Sequence, residues 1–144
     1  MPFNNLFAAT AISSSGMTAE RFRMEVIANN IANANATKSA NGGPYRRQDV
    51  VFAEVLGQEA GKHGPPTLGG VQAVELVEDQ TEFPRVYNPS HPDADETGYV
   101  KLPNVQLPIE MVNLLTASRS YEANLKAIQT FRQMSEQALS LLRT

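Results

Sequence analysis

The sequence predicts an α+β protein in which long N- and C-terminal helices flank a small β-rich middle. Three observations carry this. Residues 1–41 contain one Gly and one Pro, residues 42–108 contain eight of each, and residues 109–144 contain neither. Gly and Pro are the main local interrupters of regular structure. In the last segment, apolar side chains recur at alternating steps of three and four, which is the helical period. In the middle, short runs rich in Val and aromatics stand between Gly or Pro residues, which is the strand pattern. The chain therefore divides into an N-terminal helix (1–41), a β-rich middle (42–108) and a C-terminal helix (109–144).

The totals narrow the class. A chain of 144 residues has a single-domain length. The net charge of −3 argues against a nucleic-acid binder, which usually carries a basic face. The absence of Cys removes disulfides, thiolate catalysis and thiolate-bound zinc. No apolar run approaches the roughly 18–20 residues that span a bilayer. No basic side chain precedes Arg21, so the charged start of a secretory signal peptide is missing.

Within 1–41, Phe3, Leu6, Ile12, Met17, Phe22, Met24, Ile27 and Ile31 share a broad helical face. Ser13–Ser14–Ser15–Gly16 is a weak point where a kink or fray is expected. The stretch "ANNIANANAT" (28–37) follows, and Ala and Asn fill eight of its ten positions. Asn is a poor helix residue, yet the surrounding spacing is helical. One reading is a packed seam. Asn29, Asn30 and Asn33 fall on adjacent helical positions and would meet uncharged polar residues such as Ser118, Ser120, Asn124 or Gln129, setting register as buried Asn does in coiled coils. Asn35 would then take the left-handed conformation that stops a helix. The other reading is a fraying end.

In the middle, Gln48–Leu56, Val71–Glu78 and Phe83–Tyr87 read as strands. Residues 61–70 read as a loop or hairpin tip, and "YNPSHPDADETG" (87–98) as a stiff irregular loop. The middle carries ten acids and five bases, whereas each end is net +1. In 109–144, the series Met111, Leu114, Ser118, Tyr121, Leu125, Ile128, Arg132, Ser135, Leu139, Leu142 is apolar at seven of its ten positions. Pro108 suits a first turn and Glu110 suits the positive end of the helix dipole. A helix over this segment is roughly 54 Å long, and helices of that length need partners. Its charge content is low, with Ala, Ser, Asn, Thr and Gln in place of Lys and Glu, as expected where other backbones surround a helix.

Candidate chemistry is weak. His63 and His91 lie far apart in loops and read as surface histidines. "DADETG" (93–98) starts like a calcium loop, but the twelfth position, where an EF-hand needs a bidentate acid, is Asn104. Asp93, Asp95 and Glu96 therefore read as a solvated acidic loop. Arg46–Arg47 read as surface arginines. No nucleophile, base and orienting group can be assembled, so no catalytic, metal or cofactor site is expected.

The tract "VIANNIANANAT" followed by "GGPYRRQDVVF", and "VNLLTASRSYEANLKAIQTFRQMSEQALSLL" near the C-terminus, resemble the terminal signatures of bacterial flagellar rod and hook proteins. "VYNPSHPDADETGYVKLPNV" narrows the resemblance to the basal-body rod family and its proximal-rod members. The resemblance implies a structural, non-enzymatic axial subunit of the flagellar basal body, exported without a cleaved signal peptide by the flagellar type III route. It implies terminal helices packed in an inner coiled-coil-like layer of the rod, with the middle domain outside. The rod spans the periplasm and transmits torque. Implied partners are other rod proteins, copies of the same chain, and the basal-body component joining rod to export gate, with no nucleic acid and no membrane span. On this reading the assembly interface includes Asn29, Asn30, Ile31, Asn33, Leu114, Tyr121, Leu125, Ile128, Leu139 and Leu142. Competing readings from composition alone are a soluble helical-hairpin adaptor or secretion chaperone, and a small metal-dependent enzyme using the acidic loop.

Overall fold

The computed structural model describes residues 2–39, 42–57 and 67–142. The element order is α1 (Pro2–Ala32), β1 (Gln48–Gly57), β2 (Thr67–Glu78), β3 (Arg85–Tyr87), β4 (Tyr99–Lys101) and α2 (Leu107–Leu142). The α+β class holds: in chain order, two long helices enclose two small sheets. β1 pairs with β2, and β3 pairs with β4. The second pair is antiparallel, with Val86 opposite Val100.

α1 runs without interruption through Ser13–Gly16, where the sequence predicts a kink. The serine run is absorbed by back-bonding to the preceding turn. Ser15 Oγ donates to the Ile12 carbonyl at 2.7 Å, and Thr18 Oγ1 to the Ser14 carbonyl at 3.1 Å. The helix ends at Ala32, well short of residue 41. The chain leaves the helix through tightened turns, with the Ala34 N–H donating to the Ile31 carbonyl and the Ala36 N–H to the Asn33 carbonyl just beyond it. No described non-Gly residue has a positive φ, so Asn35 does not terminate the helix in the left-handed conformation. β2 begins at Thr67, ahead of the expected Val71, and β4 is an element the sequence pattern does not predict. Three residues flanked by Gly98 and Pro103 are too few to show an alternating pattern. The loop or hairpin tip expected over 61–70 falls mostly outside the described residues, as does His63.

By contacts the chain forms two compact units. One comprises residues 23–51 and 75–115. Its buried side chains include Val26, Ile27, Ala34 and Val100, together with the polar Asn30 and Glu110. The other comprises residues 1–22, 52–74 and 116–144. Its fully packed described side chains are small, Ala19 and Ala117. Backbones approach closely there. Gly70 has φ +107° and lies against Ser15, whose Oγ accepts the Val71 N–H at 3.1 Å. Gly16 faces the Asn124 amide so closely that a Cβ would sit 2.9 Å from its nitrogen. Only glycine reaches the Gly70 backbone conformation without strain.

Candidate functional site

The most constrained chemistry in the chain is a buried polar cluster centred on Asn30, in the last turn of α1. Asn30 is 0% exposed. Its Nδ2 donates to the Gln48 carbonyl at 2.8 Å and to Glu110 Oε2 at 3.1 Å. Its Oδ1 accepts from the Tyr45 hydroxyl at 2.8 Å and from the Gln48 N–H at 3.0 Å. A primary amide has two donors and two acceptor lone pairs, so every hydrogen-bonding position of Asn30 is used inside the chain.

Glu110, in the first turn of α2, is also 0% exposed. It is held by Arg47 Nε at 2.7 Å, by Asn30, and by Asn113 Nδ2 at 3.4 Å. The positive end of the helix dipole further favours its carboxylate. Arg47 reaches outward to Asp49 at 3.2 Å and Asp79 at 3.8 Å. Burial works to lower the Arg47 guanidinium, but its hydrogen bond to Glu110 and the charges of Glu110 and Asp49 outweigh this and hold it above its ordinary value. Burial, then the charges of Glu110 and Glu78, push the Tyr45 hydroxyl up, so it stays a proton donor to Asn30.

The backbone around Arg47 is fixed as firmly as its side chain. The Arg47 N–H donates to Asn104 Oδ1 at 2.8 Å, and the Asp79 N–H donates to the Arg47 carbonyl at 2.8 Å. Asn104 Nδ2 donates to the Asp79 carbonyl and to Thr81 Oγ1. Arg46 turns the other way. It donates to the Asp79 carbonyl at 2.7 Å and lies 4.4 Å above the Phe83 ring. The expectation of two surface arginines is thus corrected: a fully buried carboxylate requires a cationic partner, and Arg47 supplies it.

The cluster links side chains and backbone groups from four segments of the chain. It is a tie joining the end of α1, the entry to β1, the 102–106 turn and the start of α2. A buried ion pair adds little net stability over an apolar pair, but breaking one partner is costly. Such a tie specifies geometry more than it adds energy.

The acidic loop is satisfied internally. Asp95 Oδ1 accepts from the Thr97 N–H, the Thr97 hydroxyl and the Tyr99 N–H. Gly98 completes the turn with φ +81°. Asp93 accepts from the Thr37 hydroxyl at 2.8 Å, and its N–H donates to His91 Nδ1. Among the described residues no group of three or more His, Cys, Asp or Glu could hold a metal.

The candidate interface residues separate. Asn30 is inside, and its partners are Gln48, Tyr45 and Glu110 in place of the expected Ser118, Ser120, Asn124 or Gln129. Asn33 donates to the Asn29 carbonyl and to Asn29 Oδ1, one helical turn back. Ile31, Leu114, Tyr121 and Ile128 are half-buried. Leu125 and Leu139 are exposed, and the Leu142 side chain lies outside the described residues. The start of α2 is inverted relative to an ordinary amphipathic helix. Glu110 and Ala117 face inward, while Leu107, Met111 and Leu115, spaced by one turn, face outward, Met111 at 64% exposure. Sequence reasoning missed Tyr45, Arg47, Gln48 and Asn104. The available signal was Glu110, a lone acid at a helix start, needing a partner once buried.

Two family models match the chain. Residues 96–141 match the family described as flagellar basal body rod FlgEFG protein C-terminal, and residues 11–38 match the flagella basal body rod protein family. Among similar proteins, the flagellar basal-body rod protein FlgC of Borreliella burgdorferi is 40% identical over 148 residues, covering 95% of this chain and 97% of that protein. FlgC of Escherichia coli O157:H7 is 42% identical over 130 residues, covering 90% of this chain and 92% of its own length. FlgC of Aquifex aeolicus is 42% identical over 132 residues, with coverages of 92% and 93%. Identity at this level along nearly the whole length, together with both terminal signatures, means that the chain belongs to the FlgC family of flagellar basal-body rod proteins.

Proposed function

We propose that this structural subunit of the flagellar basal-body rod works in the proximal rod, with α1 and α2 contributing to an inner coiled-coil-like layer and the β-rich middle lying outside it. The observation that carries this reading is the surface of α2. Met111, Leu115, Leu125, Met134 and Leu139 are all exposed large apolar side chains on one helix. A chain acting alone would bury them or replace them with charge. In an open helical array, each such face meets a different face of the next copy. Its partners on this reading are other rod proteins, further copies of itself, and the component joining rod to export gate. The subunit would leave the cell without a cleaved signal peptide and act as a torque-bearing element across the periplasm. Among the described residues, no helix is long and apolar enough to cross a membrane.

The test is Leu125→Asp, expressed in cells lacking the chromosomal copy. Leu125 is already 38% exposed, so the charge is tolerated in the free chain but not in a packed array. The expected outcome is a folded, soluble subunit with no intact basal bodies and no swimming. Wild-type swimming would refute the role of this face.

A further inference from the structure

We propose that the exposed face of the β3–β4 hairpin is a docking surface for a second copy of this chain, whose acidic and apolar end of β2 (75–78) lies across it. The surface stands on the chain alone. Its use between neighbouring subunits rests on the rod reading above.

Opposite residues of an antiparallel pair, and residues two apart along each strand, project to the same face. The register sets Arg85 opposite Lys101 and Tyr87 opposite Tyr99, so these four share one face. The other face carries Val100, which is 3% exposed and turned inward. All four are exposed, Tyr87 at 63%. Like charges directly opposite one another are destabilising. Among the described residues neither Arg85 nor Lys101 forms an ion pair that would relieve this. The tyrosines are fixed yet uncovered. Their rings meet edge to face with centroids 5.3 Å apart. Tyr87 also lies so close to Gly98 that a Cβ there would sit 2.9 Å from the ring. A rigid exposed Tyr loses little freedom on binding, and Tyr and Arg are enriched where interfaces hold most tightly.

The charge of the surface selects its occupant. Residues 42–108 hold ten acids and five bases. Three of those bases, Arg46, Arg85 and Lys101, line one cavity of about 290 Å³, and among the described residues Glu82 is the acid beside them. The occupant must bring a carboxylate to the bases and apolar surface to the rings. The end of β2 carries both. Glu75, Leu76, Val77 and Glu78 are all exposed, Leu76 at 44%. Leu76 and Glu78 stand two residues apart on one face of β2. The tyrosine row and the basic row of the hairpin are also two residues apart. Both steps are roughly 6.6 Å, so Leu76 on the rings places Glu78 between the bases. Because the contact joins two different patches, it can repeat along an open array.

The experiment is a charge exchange across this contact. Lys101→Glu turns the opposed like charges into opposite ones, so the purified chain should melt at or above the wild-type temperature. In cells lacking the chromosomal copy it should give at least about tenfold fewer intact basal bodies, because two carboxylates then meet at the contact. Glu78→Lys, on an exposed residue, should give the same loss from the other side. Combining the two reverses the pair and should restore basal bodies to within about twofold of wild type. Wild-type numbers in Lys101→Glu would mean that the bases only keep a sheet edge from pairing, and would overturn the proposal. A loss in Lys101→Glu with Glu78→Lys normal would mean a different occupant and overturn the assignment to β2. A double variant no better than the single ones would also overturn it. None of these results touches the rod reading, which fails by a different one, normal swimming of Leu125→Asp.

Discussion

Replacing Asn30 by Ala removes four hydrogen bonds at a site with no exposure. The cost is not four equal shares. The half-buried Tyr45 hydroxyl can turn to water, and Glu110 keeps Arg47 and Asn113. The Gln48 N–H and carbonyl lose the amide that satisfies both. Two orphaned backbone groups at about 1–3 kcal/mol each give a loss of about 4 kcal/mol. Set against the roughly 5–15 kcal/mol that holds an ordinary domain together, this is a large fraction. For a chain of 144 residues it corresponds to a melting temperature lower by about 8–16 °C. Asn33→Ala is the internal comparison, because among the described residues the Asn33 side chain bonds to Asn29, in an exposed contact, and it should shift stability by no more than about 0.5 kcal/mol. Urea titrations of both variants, followed by circular dichroism, measure the difference. Equal midpoints for the two variants would refute the claim that Asn30 anchors the cluster.

Gly70→Ala should be destabilising by about 1–3 kcal/mol, because the residue combines a positive φ with close contact to Ser15; a thermal melt unchanged from wild type would show that this approach is loose. Hydrogen bonds from Thr81 hold the Asp79 carboxyl below its ordinary value of 3.8, and those from Thr97 and Tyr99 do the same for Asp95. The stability these groups add is fully present above the ordinary aspartate value and is lost as pH falls through the lowered folded value. Combining Asp79→Asn with Asp95→Asn should therefore flatten the loss of stability below about pH 4, and an acid-unfolding curve as steep as wild type would contradict this. Calcium at millimolar concentration should leave the melting temperature of the wild type and of Asp93→Asn with Asp95→Asn unchanged, and a calcium-dependent rise lost in the double variant would reverse the assignment of the acidic loop.

The helices were legible because their signals are local. Gly and Pro are missing from 109–144, and the steps of three and four are visible over the whole segment. α1 stops earlier than its Gly- and Pro-poor segment does, because the apolar period fades into the Asn-rich tract, where tightened turns decide the end. β4 stayed hidden because it is three residues long and depends on its pairing with β3. The tract "ANNIANANAT" is unusual as sequence, and burial of at least one of its amides is one of its two readings. The partners could not be read, because Gln48, Tyr45 and Glu110 are distant in sequence and meet Asn30 only through tertiary closure. Arg47 misleads in sequence for the same reason. Beside Arg46 it looks like half of a basic surface pair, yet alternation along the chain sends one guanidinium to Phe83 and the other inward to a carboxylate.

The complete use of the Asn30 amide also bears on how the chain ages. Asparagine side chains hydrolyse to aspartate when the next backbone nitrogen attacks the side-chain carbonyl, one reason they are thermolabile. At Asn30 that carbonyl is held by the Tyr45 hydroxyl and the Gln48 N–H, and the nitrogen of Ile31 belongs to the regular helix. The rearrangement therefore requires the end of α1 to unwind first. Should it occur, two donors become acceptors and a new carboxylate faces Glu110, so the amide whose loss would do the most damage is the one the fold keeps from reacting. Asn35, exposed in the same tract and beyond the end of α1, lacks that enclosure and is where chemical wear would accumulate with little consequence for the tie.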